Sequence, residues 1–335
     1  MSWMNFRQKS YQLRDVEKQY GVKYYIASRN SDIILQNAPE LAVEIYDIRR
    51  YNLEQIKHFL DAFFSGEEGK ANNLLSALRE NKIIDKLPLT PLNLSLISIL
   101  FEEKDFEIPA TISDIYDNFN DLIVGRAVVS KKVEFIDVNF KERILSLYAL
   151  KLLNRSSRQS MDKEEFVKFF TDYFENKSLP IKKGNLSDAL DYIVKHTGIL
   201  FLKDGKYVQF THASYMEYYA AVEIFKFDRK LEQSYIENFY DPNWQNSAIF
   251  YAGKSKDMPD FLQKVLNKVK TGRHFNDFIS GIIGCGYLIQ ALYLTDNKIR
   301  KEVVIECLRQ SLLSLDAIKL FATENKVLYK DYRLP

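Results

Sequence analysis

Apolar residues recur along most of this chain at intervals of three and four. Leu53, Ile56, Phe59, Leu60 and Phe63 make one such stripe, the spacing that lines one face of an α-helix. The pattern predicts further helices over residues 72–81, 92–101, 112–127, 140–153, 161–174 and 186–195. At Gly198 the pattern changes. Two short β-rich runs, Ile199-Leu200-Phe201-Leu202 and Tyr207-Val208-Gln209-Phe210, flank an Asp204-Gly205 pair, a strong hairpin signal. A helix is expected from near Ala213 to beyond Phe227. Helices in antiparallel pairs then follow over 244–250, 258–270, 275–294 and 300–313. Several helices followed by a hairpin is the layout of a winged helix.

The first fifty residues read differently. A polar helical run over 6–20 stops at Gly21, a natural C-terminal residue for a helix. Two β-rich runs follow, 22–26 and 42–46, which suit the edge of a parallel α/β sheet. Two strands cannot make a stable sheet alone, so the rest of that sheet is expected from outside this chain. The expected organisation is an α/β edge over 1–50, a small helical domain over 51–110, a winged-helix domain over 111–228 and a helical, solenoid-like domain over 229–335. The fold class is mainly α. Thr90 before Pro91 supplies a local start signal inside this scheme, with Thr90 as N-cap and Pro91 at N1, where its missing donor costs nothing.

Composition narrows the function classes. Hydrophobic residues make up 46% of the 335, enough for a sizeable core, and the low counts of Gly (12) and Pro (8) argue against a loop-rich β architecture. The net charge of +2 gives no global electrostatic case for nucleic acid. The two cysteines, Cys285 and Cys307, form no CxxC pair and have no His at metal spacing, so the chain reads as cytoplasmic, without disulfide framework or zinc site. The longest apolar stretch, 278–294, holds Ser280, three glycines and Gln290. It falls short of a bilayer span and reads as a buried helix.

The most specific feature is Phe210-Thr211-His212-Ala213-Ser214-Tyr215-Met216-Glu217-Tyr218-Tyr219-Ala220-Ala221. It closely resembles the F-x-H-x-S-(F/Y)-x-E-(Y/F)-x-A-A signature of the winged-helix domain in STAND-type (NACHT-like) NTPases. Three other segments agree in order. Tyr24-Tyr25-Ile26-Ala27-Ser28-Arg29 resembles the sensor 1 strand of that family. Leu87 to Leu96 resembles the start of a helix in its first helical domain. Asp241-Pro242-Asn243-Trp244 followed by Phe250-Tyr251-Ala252-Gly253 resembles the segment after its winged helix. The resemblance covers roughly residues 1–255.

The departure is as informative. No G-x-x-x-x-G-K-[ST] phosphate loop and no acidic cluster after an apolar strand occurs. Ser65-Gly66-Glu67-Glu68-Gly69-Lys70-Ala71 has the wrong spacing and no Ser or Thr after Lys70, and reads as an exposed loop between helices. The resemblance therefore implies the lid and regulatory part of a nucleotide switch, in which ADP or ATP is held only with an upstream P-loop segment or partner chain. The chain alone is not expected to be a working ATPase.

Three residues carry that expectation. By the resemblance, His212 approaches the β-phosphate of ADP and holds a closed state; an imidazole can donate to phosphate, and the same residue can also simply cap the following helix. Arg29 ends a strand and can sense a γ-phosphate, or be a surface arginine. Pro91 matches the family's proline beside the adenine ring, and helix N1 chemistry explains it equally. Glu217 reads as a brace between elements. The family implies a role in antiphage or innate immunity, with a protein ligand or self-oligomer as partner. The alternative is a winged-helix and helical scaffold that binds protein or nucleic acid without nucleotide chemistry. Its candidate reading helix, 186–195, has two acids and one lysine, which disfavours phosphate contact.

Overall fold

The computed structural model describes residues 19–21, 51–80, 89–103, 111–126, 138–155, 160–178 and 186–324. The chain divides into two compact units, Met1–Arg50 and Tyr51–Pro335. In the first, Gln19 and Tyr20 are helical and Gly21 follows at φ +64°. The expected strands over 22–26 and 42–46, and Arg29, lie outside the described residues.

The second unit is mainly helical with one small antiparallel sheet. Four helices open it: α1 (Leu53–Phe63), α2 (Glu68–Glu80), α3 (Pro91–Glu103) and α4 (Ile112–Arg126). Asn52 and Gln55 close a capping box on α1, each side chain accepting from the other's backbone amide at 2.8–2.9 Å. The segment 65–71 is a loop only in part, because α2 begins at Glu68. Lys70 there is ion-paired to Glu67 and Glu102.

The next elements run α5 (Val138–Leu153), β1 (Ser160–Asp162), α6 (Lys163–Phe174), α7 (Leu186–His196), β2 (Leu200–Lys203) and β3 (Tyr207–Phe210), and lead into α8 (Ala213–Val222). The sheet order is β1-β3-β2, with Met161 opposite Val208 and Leu202 opposite Val208 on the other side. A helix, a strand, two helices and a hairpin whose second strand is central is the winged-helix arrangement. The hairpin turns at Asp204 and Gly205, both at positive φ, and closes with Lys206 N donating to Lys203 O at 3.0 Å. Met161 belongs to β1 and not to a helix. Its three-residue strand is too short to show alternation in sequence. Tyr148 of α5 fixes it, accepting from Met161 N at 3.1 Å and donating to Val208 O at 2.6 Å.

α8 is the spine of this unit. It is buried along its length and packs on both α5 and α10 (Pro242–Ser255). Beyond Val222 it continues as one π turn, Glu223–Phe227. The wider turn directs Glu223 to Ser146 (2.7 Å) and Arg143, and Lys226 to Glu142 (2.8 Å). The rest is α9 (Glu232–Glu237), α11 (Pro259–Lys270), α12 (Phe275–Ala291) and α13 (Asn297–Glu324). Asp241 caps α10 by accepting from Asn243 N at 2.9 Å, with Pro242 at the first helical position. A continuous apolar core runs through these elements from Ile56 to Val303. α12 is half-buried rather than buried: Ile279 and Ile283 face solvent. No helix among the described residues is long and apolar enough to cross a membrane.

Candidate functional site

A cleft of about 600 Å³ opens where α3, α4, α8, α10, α12 and α13 approach one another. That is within the usual range of small-molecule sites. Three residues at its wall share one local role. Thr90 caps α3, its Oγ1 accepting from Asn93 N at 3.2 Å. Thr111 caps α4, accepting from Asp114 N at 3.1 Å while Asp114 Oδ2 accepts from Thr111 N at 3.1 Å. His212 caps α8, its Nδ1 accepting from Ser214 N at 3.2 Å. Three helix N-termini thus meet at one concavity. Each presents the positive end of a helix dipole, worth roughly half an elementary charge.

Arg300, in the first turn of α13, adds a full cation to the same wall. Its two terminal nitrogens donate to Tyr293 O (3.3 Å) and Ile289 O (3.2 Å), and its Nε is buried with no hydrogen-bond partner. Among the described residues the guanidinium is held by the carbonyls of Tyr293 and Ile289 and the side chain of Asn297, and pairs with no carboxylate. Glu217 is the acid there, and Asn246 Nδ2 donates to it at 3.1 Å, tying α8 to α10. It braces two helices.

Aromatic rings underlie the wall. Tyr116 stacks edge-on with Phe250 (4.9 Å) and Tyr215 (5.7 Å), and its hydroxyl donates to Asn93 Oδ1 at 3.3 Å. Burial pushes the Tyr116 phenol well above its usual range and that of Tyr215 up to about 12, so both stay neutral donors at ordinary pH. Tyr287 and Phe250 give the cleft flat apolar surfaces beside the amides of Asn93, Asn246 and Gln290. Such a mixture suits a ligand with a planar ring and an anionic group.

Of the residues expected from sequence, His212 lines the cleft and also caps α8, so both of its alternative roles coexist in one geometry. A ring whose Nδ1 accepts from an amide carries its proton, when neutral, on Nε2. Pro91 sits at the first position of α3 between two cleft residues, Thr90 and Asn93. Arg29 lies outside the described residues. Sequence reasoning missed Thr111 and Arg300. Thr111-Ile112-Ser113-Asp114 spells a capping box, a signal open to reading. Arg300 carries no local signal, because only the return of α13 brings it to the cleft. Among the described residues no three His, Cys, Asp or Glu side chains group to hold a metal ion. On α7, Asp191 is engaged with lysines: it pairs with Lys163 at 3.0 Å and lies 4.0 Å from Lys195.

No protein-family model, curated protein or solved structure matches the chain.

Proposed function

We propose that this chain is the lid and regulatory arm of a STAND-type (NACHT-like) nucleotide switch, in which an upstream P-loop segment or a partner chain holds ADP against it. The observation that carries this reading is the meeting of three helix N-termini and Arg300 at the cleft that His212 lines. Convergent amide dipoles and a cation favour a polyanion. The segments that supply His212 and Thr90–Asn93 are the two that resemble the family's phosphate- and adenine-facing motifs.

In this reading His212 donates from Nε2 to a phosphate oxygen, and Arg300 balances further negative charge. The helical layers close over the nucleotide, and the bound diphosphate stabilises the closed, inactive arrangement. Exchange of nucleotide, or binding of a protein target, shifts the population to an open form. The family implies antiphage or innate immune signalling as the setting. A purely nucleic-acid-binding scaffold is the weaker reading, since exposed Asp188 of α7 opposes contact with a phosphate backbone and Asp191 occupies two of the lysines that could make one.

Calorimetry tests the proposal. ADP and ATP are titrated into the chain alone and into the chain joined to a P-loop partner. The expected result is binding only after reconstitution, weakened roughly tenfold or more by His212→Ala. Tight ATP binding by the chain alone, or binding indifferent to His212, overturns it.

A further inference from the structure

Cys285 and Cys307, the chain's two cysteines, stand on neighbouring helices. α12 and α13 pack closely, and α13 turns Val303, Glu306, Gln310 and Ser314 inward. That packing sets the Cys285 thiol in hydrogen-bond contact with the Cys307 thiol. Both thiols are free, and their surroundings differ. Cys285 is buried in the apolar core, whereas Cys307 is half-buried at its edge. Their hydrogen bond and its burial push the Cys285 thiol up, and the same bond pulls the Cys307 thiol down. Glu306, next to Cys307, opposes a thiolate there. Its carboxylate is already paired with Arg309 and accepts from Gln310 Nε2 at 2.8 Å. An accessible thiol favoured as thiolate thus lies beside a shielded thiol kept protonated. Those are the needs of a reactive cysteine and its resolving partner.

We propose that Cys307 is a site of oxidation by hydroperoxides, and that Cys285 resolves it into a disulfide between α12 and α13. The Cys307 sulfur attacks one peroxide oxygen and the O–O bond breaks. With hydrogen peroxide the products are Cys307 sulfenic acid and one water. The Cys285 sulfur then attacks the Cys307 sulfur. The S–O bond breaks, and hydroxide leaves with the Cys285 proton as a second water. The two thiols lose two electrons, and the peroxide gains them. The sulfurs start in contact, so the new bond does not require the helices to separate. The cross-link joins the two helices that carry Tyr287, Gln290 and Arg300 to the cleft. Arg300 of α13 already bridges them by donating to Ile289 O of α12 at 3.2 Å. Oxidation therefore fixes that wall of the cleft, whatever ligand the cleft holds.

Mass spectrometry of the full chain is the test. The folded, reduced chain is treated with equimolar hydrogen peroxide, then denatured and alkylated. The expected product is a single chain lighter by two hydrogens, with neither cysteine alkylated and both recovered by dithiothreitol. Cys285→Ala leaves Cys307 as a sulfenic acid that dimedone captures. Cys307→Ser, at the half-buried position, leaves Cys285 reduced under the same treatment. Two thiols still free after peroxide overturn the proposal, as does sulfinic acid on Cys307 with Cys285 untouched. A covalent link formed only between copies also overturns it. So does oxidation of Cys285 in the Cys307→Ser chain as fast as in the unaltered one, since the buried thiol would then be the point of attack.

Discussion

Gly253 of α10 lies directly against Ser113 of α4: a Cβ on Gly253 would fall 2.0 Å from Ser113 Oγ and 2.6 Å from its Cβ. Ser113 is fully buried there and donates to Phe250 O at 3.2 Å. The contact sets the spacing of α4 and α10, and with it the spacing of Thr111 and Asn246 across the cleft. Gly253→Ala is expected to destabilise the fold by about 2–3 kcal/mol through overpacking, read from urea unfolding. Ser113→Ala in the same chain should restore only part of this, because the Cβ remains. An alanine at 253 without measurable cost would mean the two helices do not approach as described.

Lys254, beside it, is almost wholly buried and pairs with Asp117, while Tyr218 donates to the same Asp117 oxygen at 2.7 Å. Burial lowers the Lys254 pKa, and Asp117 opposes that shift. The pair is asymmetric, since Asp117 is 38% exposed and can be hydrated when its partner goes. Asp117→Asn strands a buried ammonium and is expected to cost about 2–3 kcal/mol. Lys254→Met should cost less than half of that. Equal losses in chemical denaturation would contradict the asymmetry.

Stability should fall steeply in alkali. Burial holds the phenols of Tyr116, Tyr148, Tyr218, Tyr219 and Tyr235 well above their usual value, and that of Tyr240 at about 12. In the unfolded chain they ionise near pH 10. Above that pH the folded state binds more protons than the unfolded state, so the unfolding free energy declines as pH rises. Their contribution is complete below about pH 10 and is lost as pH climbs through the folded values. Lys254 works in the opposite direction, as one group against these six. The full phenolate absorbance of the chain should be reached only as circular dichroism is lost; complete phenolate ionisation of a still-folded chain would refute this.

Capping and ligand contact at His212 can be separated. Asparagine also caps helices well, so His212→Asn should leave stability within a few tenths of a kcal/mol, whereas His212→Ala should lose about 1 kcal/mol. If both variants weaken ADP binding in the reconstituted protein, the imidazole itself is the contact. If only alanine does, the histidine acts through α8.

Much of the fold was legible because local rules dominate it. The stripe over 53–63, the Thr90-Pro91 start and the Asp204-Gly205 turn each state a structure within a few residues, and each appears in the fold. What escaped was non-local. β1 exists because β3 offers an edge to Ser160–Asp162, and nothing near Met161 announces it. The π turn after Val222 is set by where Glu223 and Lys226 find partners on α5. The cleft was half legible. His212 and Pro91 stood out by motif, whereas Arg300 arrives from the far end of the chain.

The inward face of α13 changes character along its length. Val303 is buried in the apolar core with Ile299 and Cys307 packed beside it, whereas Glu306, Gln310 and Ser314 are the buried residues farther on. Exposing apolar surface raises heat capacity and exposing polar surface lowers it. On cooling, the apolar hold near Val303 weakens while the polar hold around Gln310 stays nearly constant. In native-state hydrogen exchange, the opening free energy over 306–314 should vary less with temperature than that over 299–303.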